Sequence, residues 1–572
     1  MATNNYHLYP PVFPDLEQWP IYKLSEDRAD FLEEINNFTL EKILKNASND
    51  DVQNKIAAAL YTERIRIKEE PWKVDPPDDR AFWKKISSKL FGAPLETPNH
   101  AELRNSYTNL TRRIVARYSD EIVGNFRIST FLFARKFLTF FFSRLLNVAA
   151  SRNWQRLWGK KYHLQDSLKV MGEVEAIRTL SQKGTVVVVP THFSNLDSIL
   201  VGYAMDAMVG LPSFSYGAGL NLYNAGIPAY FMNRLGAYRV DRRKKNDIYL
   251  ETLKAMSNLS IQRGTHSLFF PGGTRSRSGE LERKLKLGLL GTAVEAQRAN
   301  CEKGKSDKIF VVPLVMSYHF VLEAKYLVEQ HLKITGKENY VRQKDEFYSL
   351  RKIAKFAWQF FSQSSEILLS FGKPMDVMGN FVDTDGNSSD QFGNKLDIAD
   401  YFRSNTTVKA DPQKESEYTI QLAEKIVKRF QVENIVLSSH VVAFAAFRLL
   451  LHKYEKLDLY EILRLPADDY YFPPAAFENV IEKMQSILLD MEVKGQLKVA
   501  QEIRQTPHEL MTHGINHLGL YHPQKPLKFD KKNNIVSEDF RILYYYHNRL
   551  NNYNLHSRLR WESFQAIQPV AE

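Results

Sequence analysis

The chain is 572 residues long, which exceeds one ordinary core and predicts two or three domains. Hydrophobic residues at 44% and charged residues at 25% exclude global disorder, and the single cysteine, Cys301, excludes an intrachain disulfide and a cysteine-built zinc site. The formal charge of +11 favours anionic partners: phosphorylated substrates, coenzyme A, an acidic carrier protein, acidic lipids or nucleic acid.

The first residues, Met1-Ala2-Thr3-Asn4, hold no basic segment followed by an apolar run, so no secretory signal is read there. No window of 18 uninterrupted apolar residues predicts a spanning helix, and the expected address is the cytoplasm. Residues 1–165 read as a helical region, broken by Pro71, Pro76, Pro77, Pro94 and Pro98. Its last part, 122–165, contains no Asp or Glu but carries Arg127, Arg135, Lys136, Arg144, Arg152, Arg156, Lys160 and Lys161 among many Phe and two Trp. Basic residues beside aromatics, with no acids, predict a helix lying on an anionic membrane surface, peripheral on the inner face of the cell membrane. The competing reading is a buried helix whose arginines reach out or pair. No nucleic-acid motif accompanies it.

Residues 166–375 alternate β-branched runs with helical stretches, which predicts an α/β layered domain. Strands are expected at Thr185–Val189, Pro212–Tyr216, Tyr238–Val240, His266–Phe270, Ile309–Met316 and Ile367–Phe371. Residues 376–413 are polar and predict a linker or mobile loop. Asp383, Asp385 and Asn387 there imitate a calcium loop, but Ser388 and Asn394 stand where it needs Gly and Glu. Residues 414–572 read as a helical C-terminal region. His513 and His517 share a helical face, yet no Glu lies between them as in a zinc hydrolase, and no metal is expected.

The chemistry is expected at three loops. The strand ending at Val189 runs into Pro190-Thr191-His192-Phe193-Ser194-Asn195-Leu196-Asp197. On a regular helix a spacing of five separates two side chains by roughly 140°. His192 and Asp197 therefore meet only if His192 lies on the turn and Asp197 in the first helical turn, with Ser194 or Asn195 capping. The carboxylate then fixes the tautomer and frees the other ring nitrogen as a base. The second loop, Phe270 to Gly279, brings Gly273, Thr274, Arg275, Ser276 and Arg277 directly after a strand, a set able to clamp an anion, with Lys286 close behind. The third, Gly236 to Lys245, offers Arg239 and Arg242. Arg239 is expected to point from the sheet end into the site, and Arg243–Lys245 to be a solvated charge run. Ser194 lacks a Gly-x-Ser-x-Gly setting, and Cys301 sits at a helix end, so neither is read as a nucleophile.

In order and spacing these elements resemble the glycerolipid acyltransferase family, in its glycerol-3-phosphate acyltransferase branch. His192 and Asp197 match the family's His-x4-Asp block, Gly236–Arg242 its second block, Phe270–Ser276 its Phe-Pro-Glu-Gly-Thr-Arg-Ser block, and Val312-Pro313-Leu314 its fourth. Tyr544–Arg549 is similar to the larger members of that branch. One position departs: Gly272 stands where the family usually has Glu. The resemblance implies an acyltransferase α/β layered domain with a mixed, mostly parallel sheet between helical regions. It implies His192 as base, Asp197 orienting it, and backbone amides of the turn facing the oxyanion. Arg239, Arg242, Gly273, Thr274, Arg275, Ser276, Arg277 and Lys286 are then the acceptor-binding set. The implied donor is acyl-CoA or an acyl-carrier protein, the acceptor glycerol 3-phosphate, with no metal or cofactor. With Gly272 in place of Glu, lysophosphatidate or dihydroxyacetone phosphate as acceptor stays open, as does a lipid-binding pseudoenzyme of the same fold.

Overall fold

Val186, Val187, Val188 and Val189 are all fully buried, as an apolar run must be when a strand is covered on both faces. The computed structural model describes residues 9–92, 99–137, 168–220, 232–335, 366–404, 406–561 and 567–569. Helices at Arg28–Leu44, Asn49–Glu69, Asp79–Phe91 and His100–Ile122 form the N-terminal region. Capping boxes at Ser48/Asp51 and Asn99/Glu102 start the second and the last of these.

The central sheet consists of β1 (Leu168–Gly172), β2 (Gly184–Pro190), β3 (Ser215–Gly219), β4 (Ala237–Val240), β5 (Ser267–Leu268), β6 (Lys308–Tyr318) and β7 (Ile367–Phe371). Their spatial order is β1-β7-β6-β2-β5-β3-β4. Every neighbouring pair is parallel except β6 and β7. The sheet is thus mixed and mostly parallel, as expected, with β2 near its middle. Among the described residues, three helices link its parallel strands: α1 (Asp197–Tyr203), α2 (Asp247–Gln262) and α3 (Leu287–Glu302). Two strands differ from expectation. β3 begins at Ser215 and runs through Gly217 and Gly219, whose missing side chains hide the strand pattern; Gly217 is where the Tyr238 ring packs. β1 is an edge strand in which only Leu168 is buried, so no apolar run announces it.

Residues 376–413, read as a linker, hold paired strands instead: Phe381–Val382 with Ser388–Ser389, and Ser388–Ser389 with Lys395–Leu396, followed by a short helix at Ile398–Phe402. Asp383, the first residue of the calcium-like pattern, and Asp390 close its turns. Asp383 accepts from the amides of Asp385 and Asn387, and Asp390 from those of Phe392 and Asn394. Beyond them come α4 (Pro412–Glu433), α5 (Ser438–Lys453), α6 (Pro474–Val493), α7 (Pro507–His517) and α8 (Phe540–His547). Their apolar faces join the sheet in one continuous core. The N-terminal helices have their own core, closed on one side by Tyr238 and α2.

Arg243 and Lys244 are not a solvated run. Arg243 pairs with Asp75 at 2.6 Å and Asp241 at 2.8 Å, and Lys244, 2% exposed, pairs with Glu121 at 2.5 Å. Both cations fasten the N-terminal region to the sheet domain, because carboxylates from 75 and 121 await them there. Of the basic aromatic stretch, residues 138–165 lie outside the described residues. In the described part Phe126 and Phe131 are buried around Trp19, Arg135 pairs with Asp206, and Phe133 and Phe137 are exposed. Among the described residues no helix is long and apolar enough to cross a membrane.

Candidate active site

Strands β2, β4, β5 and β6 end on one edge, and the loops leaving them converge there, at the carboxyl ends where open α/β sheets place their sites. The loop after β2 carries His192, and Asp197 is the first residue of α1. His192 Nδ1 lies 2.9 Å from Asp197 Oδ2, so the expected pair is formed. The helix start differs in one detail. Its N-cap is Leu196, with no side-chain cap, and the Ser194 hydroxyl is drawn away to Glu323 at 3.0 Å.

Asp197 is fully buried and saturated with donors. Besides the ring, Oδ2 accepts from the amides of Phe193 at 2.6 Å and Ser194 at 2.9 Å, and Oδ1 accepts from the Tyr318 hydroxyl at 2.5 Å. Two further carboxylates complete the turn. Glu282 Oε1 accepts from the His192 amide at 2.9 Å, and Glu323 Oε1 from the Asn195 amide at 2.9 Å. The consecutive amides of His192, Phe193, Ser194 and Asn195 are therefore all taken by carboxylates. This corrects the expectation that they face an oxyanion; neutral side chains with donors that line the cavity beside His192 include Asn195, Ser198 and Thr274, with Tyr326 and Gln330.

Burial raises both flanking carboxyls. Glu282 is pushed up to about 7, chiefly by desolvation and also by nearby Asp197, against the His192 amide and Arg549, which lower it. Glu323 is raised by desolvation, against Arg275. Beneath the turn lies Arg549, 5% exposed, with its guanidinium 4.2 Å from the Phe193 ring centre and hydrogen-bonded to Met316 O and Asn434. Burial draws it down to about 10.

With Nδ1 committed to Asp197, His192 Nε2 is the nitrogen left for the cavity that its ring lines, and the ring lies against Phe270 with centroids 4.2 Å apart. That cavity, of about 360 Å³, is also lined by Arg242, Gly273, Thr274, Arg275 and Arg277. The remaining expected residues stand behind it. Arg239 sits on β4 and is not among the residues that line the cavity. Ser276 donates its amide to His192 O at 2.7 Å and its hydroxyl to Glu280 O. Lys286 donates its amide to Pro271 O at 2.7 Å, and its stem packs on Gly273. Arg275 divides its charge, since one nitrogen is 3.3 Å from Glu323. Gly273 has φ +75, a conformation that favours glycine. Gly279, at φ +85, lies against the backbone of Tyr545, while Asn548 donates to Ser278 O at 2.8 Å. The C-terminal region thus braces the loop of Arg275 and Arg277.

Sequence reasoning missed Tyr318, Glu282, Glu323 and Arg549 as parts of the site; only Arg549 had a signal, within Tyr544–Arg549. Neither candidate nucleophile is available for covalent catalysis. Ser194 is 4% exposed and bonded to Glu323, and the half-buried Cys301 thiol is pushed up by burial. Among the described residues, His319, Glu502 and His513 have a metal site's composition, with donor atoms within 4.8 Å of one another and His319 Nε2 3.6 Å from Glu502 Oε1. That is wider than a zinc shell, whose donors stand about 3.4 Å apart for bonds near 2.05 Å. The rings are held in place otherwise, with His319 Nδ1 on Ser439 Oγ, His513 Nδ1 on Ser438 Oγ, and His517 stacked on His513.

The family whose model is described as Acyltransferase matches residues 172–317, from the end of β1 through nearly all of β6, so the chain carries an acyltransferase domain with the dyad inside it. Curated relatives extend the similarity to one branch. The glycerol-3-phosphate acyltransferase of Aeromonas hydrophila subsp. hydrophila is 28% identical over 273 residues, 46% of this chain and 28% of that protein. Those of Shewanella oneidensis and Alteromonas mediterranea are each 27% identical, over 47% of this chain and 29% and 28% of their own lengths. The match therefore spans under a third of each relative.

Proposed function

We propose that the chain is a glycerol-3-phosphate O-acyltransferase, taking a fatty acyl group from an acyl-CoA or acyl-carrier-protein thioester to glycerol 3-phosphate, the first step of phospholipid biosynthesis. The observation that carries this reading is the His192–Asp197 dyad, whose remaining ring nitrogen serves a cavity lined by Arg242, Arg275 and Arg277. Three guanidiniums beside a base suit a hydroxyl attached to a phosphate.

In this reading Nε2 of His192 takes the proton of the acceptor hydroxyl as its oxygen attacks the thioester carbonyl. Asp197 stabilises the resulting imidazolium. Asn195, Ser198 and Thr274 supply the neutral donors for the oxyanion. Collapse breaks the C–S bond, and the imidazolium returns its proton to the leaving thiolate, so ester and thiol are the products. Direct transfer needs no protein nucleophile, in keeping with the tied Ser194 and the half-buried Cys301 thiol. The exposed Phe133 and Phe137, next to Lys136, support contact with an anionic membrane surface. Co-sedimentation with anionic but not neutral vesicles is the expected result, and equal binding to both would remove that part.

The test is transfer from labelled acyl-CoA to glycerol 3-phosphate with vesicles present, beside His192→Ala. The parent should form product and the variant should be slower by about 10²–10⁴-fold. Equal rates would sink the assignment of the base. Dihydroxyacetone phosphate, lysophosphatidate and an acyl-carrier donor belong in the same assay. Product with one of them alone reassigns the substrate, and product with none favours the lipid-binding reading.

A further inference from the structure

Gly272 departs from the family's Glu, and the structure shows what fills the vacated place. Gly272 is not among the glycines with positive φ, so its backbone does not require glycine. Space does. A Cβ built on it would stand 3.1 Å from Cγ of Glu282 and 3.2 Å from its Oε1. The volume that a residue at 272 would enter is thus occupied by the carboxyl end of Glu282. That carboxyl is used: Oε1 accepts the His192 amide at 2.9 Å, the first of the amides that shape the catalytic turn. Its Oε2 is sealed from solvent and has no hydrogen-bond partner among the described residues, an arrangement that a chance surface glutamate does not adopt.

We infer that Glu282, ten residues further along the same loop, supplies from the opposite side the carboxylate that the family carries at position 272, and that it acts as a positioning residue for His192. The inference rests on the acyltransferase reading for its catalytic consequence, but not for its geometric core. It also turns the departure at Gly272 from a sign of lost activity into a relocation: a side chain at 272 and the carboxyl end of Glu282 would crowd the same space, so the two positions are coupled.

The experiment is a four-member cycle on the full chain: parent, Glu282→Ala, Gly272→Glu, and both together. Glu282→Ala frees the turn's first amide and is expected to lower kcat on the order of a hundred-fold, as a small misplacement of a catalytic group does, with acceptor KM nearly unchanged. Glu282→Gln, which keeps an acceptor oxygen, should retain most of kcat. Gly272→Glu crowds a second carboxyl against the first and should lower both melting temperature and kcat. The double variant should recover both beyond either single change. Parent-like kcat in Glu282→Ala, or losses that simply add in the double variant, would overturn the inference. If the parent transfers no acyl group, the functional proposal fails by itself. The melting temperatures then still read the shared space, and the rate of His192 modification by diethyl pyrocarbonate reads its positioning: faster in Glu282→Ala and restored in the double variant, or unchanged and the inference falls.

Discussion

Asp197→Asn isolates one quantity, the negative charge beside the catalytic ring. In the parent, Asp197 Oδ2 accepts from His192 Nδ1 at 2.9 Å and from two backbone amides, and Oδ1 accepts from Tyr318. An asparagine oxygen at the Oδ2 position keeps all the bonds on that side. Its NH2 then meets the Tyr318 hydroxyl, which can rotate to accept. The shape survives and the charge does not. When His192 takes the acceptor proton, unit charges at that separation attract by about 6 kcal/mol at an effective dielectric constant of about 20. At about 1.4 kcal/mol per decade this sets a ceiling of about 10⁴-fold. The amide dipole and the surrounding donors recover part, so kcat/KM should fall by about 10²–10⁴-fold. The assay is acyl transfer at saturating donor with varied acceptor, and the loss should lie in kcat. A melting curve taken beside it separates chemistry from folding, since the exchange of one buried acceptor for a donor costs about 1–3 kcal/mol. Transfer within a few-fold of the parent would refute the claim that Asp197 stabilises the imidazolium.

Neighbouring arginines in one loop should behave differently. Arg277 is exposed at the cavity, so Arg277→Ala should raise acceptor KM about 10–100-fold with an unchanged melting temperature. Arg275→Ala should also lower stability, by about 3–5 kcal/mol, because it strips the buried Glu323 of its cation; equal melting of the two variants would contradict that pairing. Glu282 predicts a pH dependence. Its folded value of about 7 lies above its ordinary 4.5, so the fold prefers the protonated form. That preference stabilises fully below the ordinary value and is lost as pH rises through about 7, up to about 3 kcal/mol for such a shift. Glu282→Gln cannot ionise, so its melting temperature should gain on the parent's between about pH 5 and pH 8; a constant difference would refute the burial argument.

The catalytic pair was legible because it is local. An apolar run ending at Pro190 predicts a buried strand, and the loop leaving the carboxyl end of a buried strand in an α/β sheet lies at the site edge. The loop of Arg275 and Arg277 leaves β5 and was legible in the same way. Arg243 and Lys244 were misread for the complementary reason: a basic run looks solvated until its acids, Asp75 and Glu121, arrive from another region. The calcium-like pattern, set aside on Ser388 and Asn394, holds a turn: backbone amides within it satisfy Asp383.

By itself, then, the sequence determined what short-range periodicity and spacing determine: the sheet's central strands, the turn that bears His192 and Asp197, and the arginine loop. Tertiary structure alone decided what holds that turn. Its supports come from Glu282, Tyr318 and Glu323, which lie 90, 121 and 128 residues from the groups they bind. In Gly279-Glu280-Leu281-Glu282-Arg283-Lys284, a glutamate reads as one more solvated charge. What makes it part of the site is burial against an amide and against the empty side of Gly272, and burial is a property of the packed chain, not of its neighbours in sequence.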